Sequence, residues 1–341
     1  MFEQSIQRLG FACKFYPEQD DTYSQYNTKT TTAKWLQAQT QDNALERLRS
    51  IIEHNLDSQL LVFKEIIKGP IGTKMMRLSS DLLPFYTHND WNWVYKDKSL
   101  MSMIKSKFLT LGKFAKLHDI RLSFHPGQYC CIASDRAEVV DNSIQELEYH
   151  RDMAVMMGFG NEFQDFKINV HLSGRLGEQG ARQAFQQMTP ELRNMITIEN
   201  DEFGKGLEDV LEISDLCPIV LDIHHHLIRT SGEYILKSDD RVQKVIESWQ
   251  GVRPVMHYSI SREEYINDCV TKPDITKMLS EGYKLQKLRA HSDYYVNHDC
   301  NNWCLNFWDE FDIMCESKAK NRARDQLYEY FTQQINLLGK T

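Results

Sequence analysis

The sequence predicts an α/β fold, a single (β/α)8 TIM barrel with a metal cluster at its C-terminal mouth, on three observations. Short apolar, β-branched segments alternate with helix-like segments along all 341 residues, which is the rhythm of parallel βα units. No linker rich in Gly, Ser or Pro and no low-complexity tract divides the chain. Six strand-like segments end in a His, Asp or Glu. We therefore expect residues 1–341 to form one domain.

Strands and helices are distinguished by the spacing of their apolar residues. The segments with the length and composition of buried strands are Arg8–Cys13, Met75–Ser79, Ile120–His125, Phe166–His171, Met195–Glu199, Ile219–Ile223, Pro254–Ile260 and Asp312–Glu316. The intervening segments with apolar residues at helical spacing include Asn43–Asn55, Leu100–Leu117, Ala137–Met157, Leu207–Leu216 and Ala319–Leu337. Eight such repeats fit either a closed barrel or an open, doubly wound sheet.

The ends of the strand segments separate these two folds. The polar residues at the same end of six consecutive strands are His125, His171, Glu199, Asp222, His257 and Glu316. In an open sheet these ends would spread along a line, with several far from the crevice that binds ligands. In a barrel they converge on one mouth, where the active sites of this fold lie. The pattern favours the barrel.

Composition restricts the class of protein. Hydrophobic residues make up 41% of the chain and charged residues 26%, which is typical of a soluble globular protein. No apolar run is long enough to span a bilayer, and the N-terminus lacks the features of a signal peptide. The eight cysteines include no CxxC motif, so we expect reduced, mostly buried thiols and a cytoplasmic protein.

The net charge of −8 is a mild objection to a nucleic-acid partner. An enzyme that holds several divalent cations needs uncompensated carboxylates, and the bound ions would cancel much of this excess. A global count also hides local basic patches. The charge therefore excludes neither a metalloenzyme nor a DNA-binding protein.

Histidines and carboxylates at one mouth suit Zn²⁺ or Mn²⁺. Glu199 and Asp222 each lie in an apolar run without an Arg or Lys nearby in the strand. A buried carboxylate is costly unless something pairs with it, so metal ligation is the favoured interpretation of this pair. A lone histidine at a strand end, such as His257, is more often a surface or hydrogen-bonded residue than a metal ligand. Several adjacent ions would suit phosphodiester hydrolysis, because one lowers the pKa of water while its neighbours neutralise the phosphate.

The run His224-His225-His226 leaves an ambiguity of orientation. Strict strand alternation places Asp222, His224 and His226 on one side and His225 on the other. A pairing of Asp222 with His225 requires the chain to turn out of the strand after Ile223. Periodicity alone leaves both arrangements open.

Seven motifs occur in order at barrel-strand spacing. They are Ser-Phe-His125-Pro-Gly-Gln128-Tyr129, Val-His171-Leu-Ser-Gly, Ile-Glu199-Asn-Asp-Glu, Asp222-Ile-His-His225-His, His257-Tyr-Ser, Ala-His291-Ser-Asp293-Tyr-Tyr and Cys-Glu316-Ser-Lys318-Ala-Lys320. Together they resemble the UV damage endonucleases, which share the barrel and metal-cluster plan of endonuclease IV-type abasic-site enzymes. The resemblance runs from Arg8-Leu-Gly-Phe11 to beyond Glu316, nearly the whole chain.

The resemblance implies a DNA repair enzyme that incises double-stranded DNA immediately 5′ to a pyrimidine photoproduct, leaving a 3′-hydroxyl and a 5′-phosphate. It implies two or three Mn or Zn ions per chain, and the sequence shows no evident obligate protein partner. The implied ligands are His125, His171 and Glu199 for one ion, Asp222, His257 and Glu316 for a second bridged by Glu199, and His225 and His291 for a third. Glu199, Asp222 and Glu316 are the implied catalytic carboxylates.

Members of this family read damage by wedging side chains into bent DNA, and the resemblance implies the same for this chain. The matching positions are Gln128, whose amide can replace lost base-pair hydrogen bonds, and Tyr129, which offers a stacking face. Packing of Tyr129 on the barrel rim is the structural alternative. Lys318 and Lys320 follow the last strand in a basic stretch with Arg322 and Arg324, and we expect the two lysines to contact phosphates.

Two positions depart from the family pattern. Val255 stands where the family often carries a lysine thought to be carboxylated, and Phe11 stands where some members have Tyr. We therefore expect a weakened third metal site, unless Asp293 or water fills it. Two rival functions keep parts of the pattern. One is an abasic-site endonuclease or sugar isomerase on the same barrel, and the other is a non-catalytic damage-binding protein.

Overall fold

The computed structural model describes residues 6–127, 129–266 and 268–338. Over these residues, eight parallel strands form a closed barrel in sequence order, and the last strand pairs with the first. The strands are β1 (Leu9–Ala12), β2 (Met75–Arg77), β3 (Arg121–Phe124), β4 (Lys167–His171), β5 (Ile196–Glu199), β6 (Ile219–Asp222), β7 (Val255–Tyr258) and β8 (Asp312–Cys315). The predicted barrel is confirmed, and each strand lies within its predicted segment.

Helices surround the barrel and fill the loops at its two ends. They are α1 (Tyr23–Tyr26), α2 (Ala33–Gln37), α3 (Gln41–Ile66), α4 (Lys98–Leu117), α5 (Ala137–Met156), α6 (Gly177–Gln187), α7 (Pro190–Met195), α8 (Leu207–Leu211), α9 (Ile223–Arg229), α10 (Asp240–Ser248), α11 (Ile275–Ser280), α12 (Leu285–Leu288), α13 (His298–Leu305) and α14 (Asn321–Leu338). Short 3-10 turns lie at Asp20–Thr22, Ile71–Thr73, Ser80–Leu82, Asn92–Lys96 and Glu263–Tyr265.

The largest difference from the predicted helices is the length of α3, which continues eleven residues past Asn55 to Ile66. Asparagine has a low helix propensity and is a plausible end from sequence alone. In the fold Asn55 is buried, and its amide bonds to the backbone of Lys29 and of Asp81. These bonds connect the helix to the segments that contain Lys29 and Asp81, and they offset the low helix propensity of Asn55.

The interior of the barrel is layered. At the N-terminal ends of the strands, the buried Asp312 carboxylate accepts hydrogen bonds from Arg121 at 2.7 Å and from Arg253 at 2.9 Å, which closes that end with paired charge. Above it lies a small apolar layer formed by Ala12, Met75, Val220, Val255 and Met314. The C-terminal mouth lies above this layer. These apolar side chains form part of the floor of the mouth.

The composition-based predictions concern cysteines and membrane spans. Five cysteines are buried, as predicted: Cys130, Cys217, Cys300, Cys304 and Cys315. Within the described ranges, no helix combines the length and the apolar composition that crossing a lipid bilayer requires.

Candidate metal centre

Side chains from the C-terminal ends of six strands meet at one mouth. Within the described part of the chain, three groups have ligand atoms within 4.8 Å of one another. They are His125, His171 and Glu199; Glu199, Asp222 and His225; and Asp222, His257 and Glu316. Glu199 and Asp222 each belong to two groups, so the three groups form one continuous cluster.

Strand register explains why these residues meet. His171 on β4 pairs directly with Glu199 on β5, and Asp222 on β6 pairs with His257 on β7. Alternate residues of a barrel strand point inward, and paired residues on neighbouring strands lie side by side. The predicted convergence therefore follows from the closed sheet.

Glu199 lies at the centre of the cluster and has no exposed surface. Its carboxylate lies 3.2 Å from His125 Nε2 and 3.0 Å from His257 Nδ1, and it also accepts a hydrogen bond from the Asn169 amide. Burial opposes its charge, but the imidazoles of His257 and His171 outweigh burial and hold the pKa of Glu199 well below its usual range. Glu199 is therefore an anion, and its carboxylate contacts both His125 and His257, where two bound ions would share it.

Asp222 is equally buried but only half satisfied. Its Oδ1 accepts a hydrogen bond of 2.7 Å from the backbone N–H of His225, whereas the described residues offer Oδ2 no hydrogen-bond partner. Burial, together with the negative charges of Glu199 and Glu316, raises the pKa of Asp222 well above its usual range. A buried carboxylate oxygen without a partner is costly, and a bound cation would remove that cost. The donor set thus fits divalent metal ions.

His225 reaches the cluster because β6 ends at Asp222 and α9 begins at the next residue. The carboxylate of Asp222 caps this helix, and one helical turn brings the ring of His225 back over it. Burial disfavours a charge on the ring, but Asp222, Glu199 and Glu202 raise the pKa of His225 to about 10. The orientation that the sequence left open is therefore resolved in favour of His225.

Two basic residues that the sequence analysis missed lie beneath the cluster. Lys167 places its Nζ 3.3 Å from Nε2 of His257, and burial lowers the pKa of Lys167 to about 7. Arg77 on β2 forms an ion pair with Glu316. A sequence signal for Lys167 did exist, because Lys167, Asn169 and His171 are polar at every second residue of one strand.

His291 lies at the edge of the cluster, outside the three groups. Its Nδ1 lies 2.9 Å from the backbone carbonyl of Glu316, and its ring centroid lies 6.4 Å from that of His225. Glu202, a second residue that the sequence analysis missed, places Oε2 3.5 Å from His225 Nε2. Asp293, the candidate replacement ligand, is exposed.

Comparison with known proteins assigns the family. A family model described as UV-endonuclease UvdE matches residues 7–340. The chain belongs to the UvdE family. Among its relatives, a UV DNA damage endonuclease of Bacillus velezensis is 28% identical over 296 residues, which cover 83% of this chain and 82% of that protein. A UV-damage endonuclease of Schizosaccharomyces pombe is 29% identical over 265 residues, which cover 74% of this chain and 39% of that protein.

Solved structures agree with this membership. The crystal structure of SacUVDE superposes with a TM-score of 0.74 at 25% identity and covers 96% of this chain and 99% of that one. Endonuclease IV from Thermus thermophilus superposes with a TM-score of 0.52 at 12% identity, covering 96% of this chain and 99% of that one, and it therefore indicates a shared fold only.

The residues of this UvdE-family chain expected to contact DNA lie around the metal centre. Tyr129 is 85% exposed on the loop after β3, which excludes the packed-rim alternative, and Gln128 lies outside the described residues. Lys318 is exposed and Lys320 half-buried just past β8. Arg324, from the same basic stretch, is instead buried and donates to the Thr73 carbonyl at 2.6 Å.

The two positions that depart from the family pattern are both buried. Phe11 has no exposed surface, and Val255 packs in the apolar layer below the mouth. Neither side chain supplies a polar atom to the metal centre. The acidic and basic groups of the mouth therefore come from other residues, including His257 on the same strand as Val255.

Proposed function

We propose that this protein is a metal-dependent DNA repair endonuclease. It would hydrolyse the phosphodiester immediately 5′ to a pyrimidine photoproduct in double-stranded DNA and leave a 3′-hydroxyl and a 5′-phosphate. The observation that carries the proposal is the shared cluster of histidines and carboxylates at the mouth, beside an exposed Tyr129. UvdE-family membership and relatives that bear the name UV DNA damage endonuclease support it.

The donor set suits two or three divalent ions, Mn or Zn. His125, His171 and Glu199 would hold one ion, and Asp222, His257 and Glu316 a second, with Glu199 shared between them. When bound, these ions would activate water and neutralise the charge of the phosphodiester. We propose Glu199, Asp222 and Glu316 as the catalytic carboxylates.

The surrounding residues hold these carboxylates in place. The Thr197 hydroxyl donates to Asn169 Oδ1 at 2.8 Å, which turns the Asn169 amide toward Glu199. The guanidinium of Arg77 donates directly to the Glu316 carboxylate and holds it in place. Ligands fixed by such outer partners need little reorganisation when substrate arrives.

Damage would be read at the rim of the mouth. Tyr129 offers an aromatic face to stack against a base, and we propose that Gln128 beside it supplies an amide for lost base-pair hydrogen bonds. A photoproduct pairs poorly, so extruding it from the duplex costs less than extruding a normal pair. Lys318 and Lys320 would contact phosphates, which strengthens binding to any duplex and adds no selectivity for damage.

An incision assay tests the proposal. Protein stripped with a chelator and then reloaded with Mn²⁺ or Zn²⁺ is incubated with duplexes that carry one photoproduct, one abasic site or no lesion. We expect metal-dependent incision of the photoproduct duplex at its 5′ side, with a 3′-hydroxyl that a polymerase extends. Preference for the abasic duplex would replace the proposal with an abasic-site endonuclease. Damage binding without incision by reloaded protein would indicate a non-catalytic damage-binding protein.

A further inference from the structure

We propose that Glu202 is a metal ligand, which completes a third ion site with His225 and His291. The inference rests on the proposed function, because it assumes that the mouth binds divalent ions. Glu202 follows β5 by three residues and lies beside the cluster without belonging to its three groups. Its side chain is only 11% exposed, which is unusual for a glutamate on a loop.

The ring of His225 turns one nitrogen toward Glu202. Its Nδ1 lies 3.0 Å from the backbone carbonyl of Asn200. A carbonyl oxygen can only accept, so this contact requires a hydrogen on Nδ1 and leaves Nε2 as the nitrogen whose lone pair a bound ion would take. Metal-ligating histidines are oriented in this way by a carbonyl on the far nitrogen. Nε2 of His225 is therefore prepared as a ligand, and it faces Glu202.

The two partners are spaced like ligands. Nε2 of His225 and Oε2 of Glu202 are 3.5 Å apart, longer than the 2.7–3.2 Å of an ordinary hydrogen bond. For zinc, ligand bonds of about 2.0–2.2 Å at tetrahedral angles put two donor atoms about 3.4 Å apart. The observed separation therefore matches two ligands of one ion.

A neighbouring arginine fixes the orientation of Glu202. Arg289 Nη1 donates to Oε1 at 2.7 Å and leaves Oε2 on the side of His225. Arg289 is two residues from His291, so one segment both holds the carboxylate and carries the second histidine. Nδ1 of His291 contacts the Glu316 carbonyl, which again leaves Nε2 as the ligand nitrogen.

Glu202 also supplies the acidic ligand that Val255 does not. Val255 is 1% exposed in an apolar layer below the mouth and has no donor atom. Asp293 is exposed, and its backbone N–H donates to Glu263 at 2.8 Å. Glu202 instead brings a carboxylate to His225 from the loop after β5. The third site is then not reduced to two histidines, and it gains the hard oxygen donor that Mn²⁺ prefers.

Metal binding tests this inference without an activity assay. Equilibrium dialysis against limiting Mn²⁺, followed by elemental analysis, is performed on wild type, Glu202→Gln, His291→Ala and Arg289→Ala, with Glu264→Gln as the control for an exposed carboxylate of the rim. We expect Glu202→Gln and His291→Ala to lose the same ion, with affinity for it lowered more than about 100-fold, beyond the 10–100-fold typical of outer partners. Arg289→Ala and Glu264→Gln should keep all three ions.

Anomalous diffraction from Mn²⁺-loaded wild-type crystals provides the measurement that does not depend on a variant folding, and it should place the third ion within bonding distance of Glu202. Three ions in Glu202→Gln at wild-type affinity would overturn the inference. Equal losses in Glu202→Gln and Arg289→Ala would overturn it as well, because the ion pair alone would then explain the effect. Two ions in wild type would remove the third site and leave the proposed function standing. Wild type that binds no ion would overturn the proposed function itself.

Discussion

Two kinds of histidine meet at the mouth, and they are oriented in opposite ways. His125, His225 and His291 place Nδ1 against a backbone carbonyl, at 2.9, 3.0 and 2.9 Å. His257 places Nδ1 3.0 Å from Glu199, and its Nε2 faces Lys167. His125 therefore presents Nε2 to Glu199 and His225 presents Nε2 to Glu202, whereas His257 presents Nδ1 to Glu199.

Position relative to the strands explains this difference. The first three histidines lie outside the strands, and the carbonyls that they contact belong to residues one or two past a strand end, at Pro126, Asn200 and Glu316. His257 lies inside β7, where the backbone carbonyls serve the sheet ladder. Its second nitrogen must find a side chain instead, and Lys167 on β4 supplies one. The orientation of His257 therefore depends on a side chain that can be replaced, whereas backbone carbonyls orient His125, His225 and His291.

The largest effect is expected at Glu199, the carboxylate that contacts both kinds of histidine. Glu199→Gln keeps the size of the side chain and removes its charge. We expect incision to be abolished and bound metal to fall, with the fold largely kept, because Glu199 contacts His125 and His257 at once. Incision of a photoproduct duplex and elemental analysis check this. Near-wild-type incision would contradict the shared-carboxylate assignment, and circular dichroism controls for folding.

The next largest effect is on the free energy of unfolding of the metal-free protein, and it is specific to Lys167. Burial lowers the pKa of Lys167 from 10.5 to about 7, so between these pH values the unfolded chain holds a proton that the folded protein lacks. Stability due to Lys167 therefore rises with pH in this window and is lost as pH falls toward 7. Lys167→Met should have the larger free energy of unfolding near pH 7, by roughly 3–5 kcal/mol, and this gap should close toward pH 10.

Urea unfolding of both chelated proteins from pH 6.5 to 9.5 measures that gap. Other titrating groups of the mouth are common to the two proteins and cancel to first order in the difference. A gap that stays constant with pH would mean that Lys167 titrates normally in the folded state.

A smaller effect tests whether Lys167 positions His257. At pH 8 the lysine is mostly neutral, so Lys167→Met changes little charge and mainly removes the contact on Nε2. We expect the ion at Asp222, His257 and Glu316 to bind about 10–100-fold more weakly, as for other outer partners of ligands. The ion at His125 should bind as in wild type, because a backbone carbonyl holds that ring. Mn²⁺ titration followed by calorimetry measures the affinities for both ions, with Lys318→Met as the matched control. Equal loss of both affinities would contradict the difference between His257, held by a side chain, and His125, held by a backbone carbonyl.

The smallest effect lies outside the ligands. Tyr129→Ala should lower the preference for damaged over undamaged duplex by about 1–3 kcal/mol, which is the worth of stacking on one base. Lys318→Ala should weaken both duplexes alike and reduce the salt dependence of binding. Competition binding at two salt concentrations measures both variants. An equal loss on the two duplexes with Tyr129→Ala would assign that tyrosine to general binding.

The sequence predicted the barrel and most of the residues that meet at its mouth because period and strand-end chemistry are local properties. The place of His225 in the cluster followed only from the three-dimensional fold, since a turn directly after Asp222 is needed to bring its ring back. Lys167 and Arg77 were missed because their partners lie on distant strands, 90 and 239 residues away. Glu202 was hidden among the acidic residues of its loop, where only geometry separates a ligand from a solvated charge.

The central claim is that divalent ions at this cluster enable incision beside a photoproduct. The direct measurement is a Mn²⁺ titration of chelator-stripped protein in which bound metal and the rate of incision of a photoproduct duplex are followed in the same samples. We expect no incision in stripped protein and a rate that rises as the second ion binds, with His125→Ala preventing that rise. Full incision by stripped protein in excess chelator would contradict it.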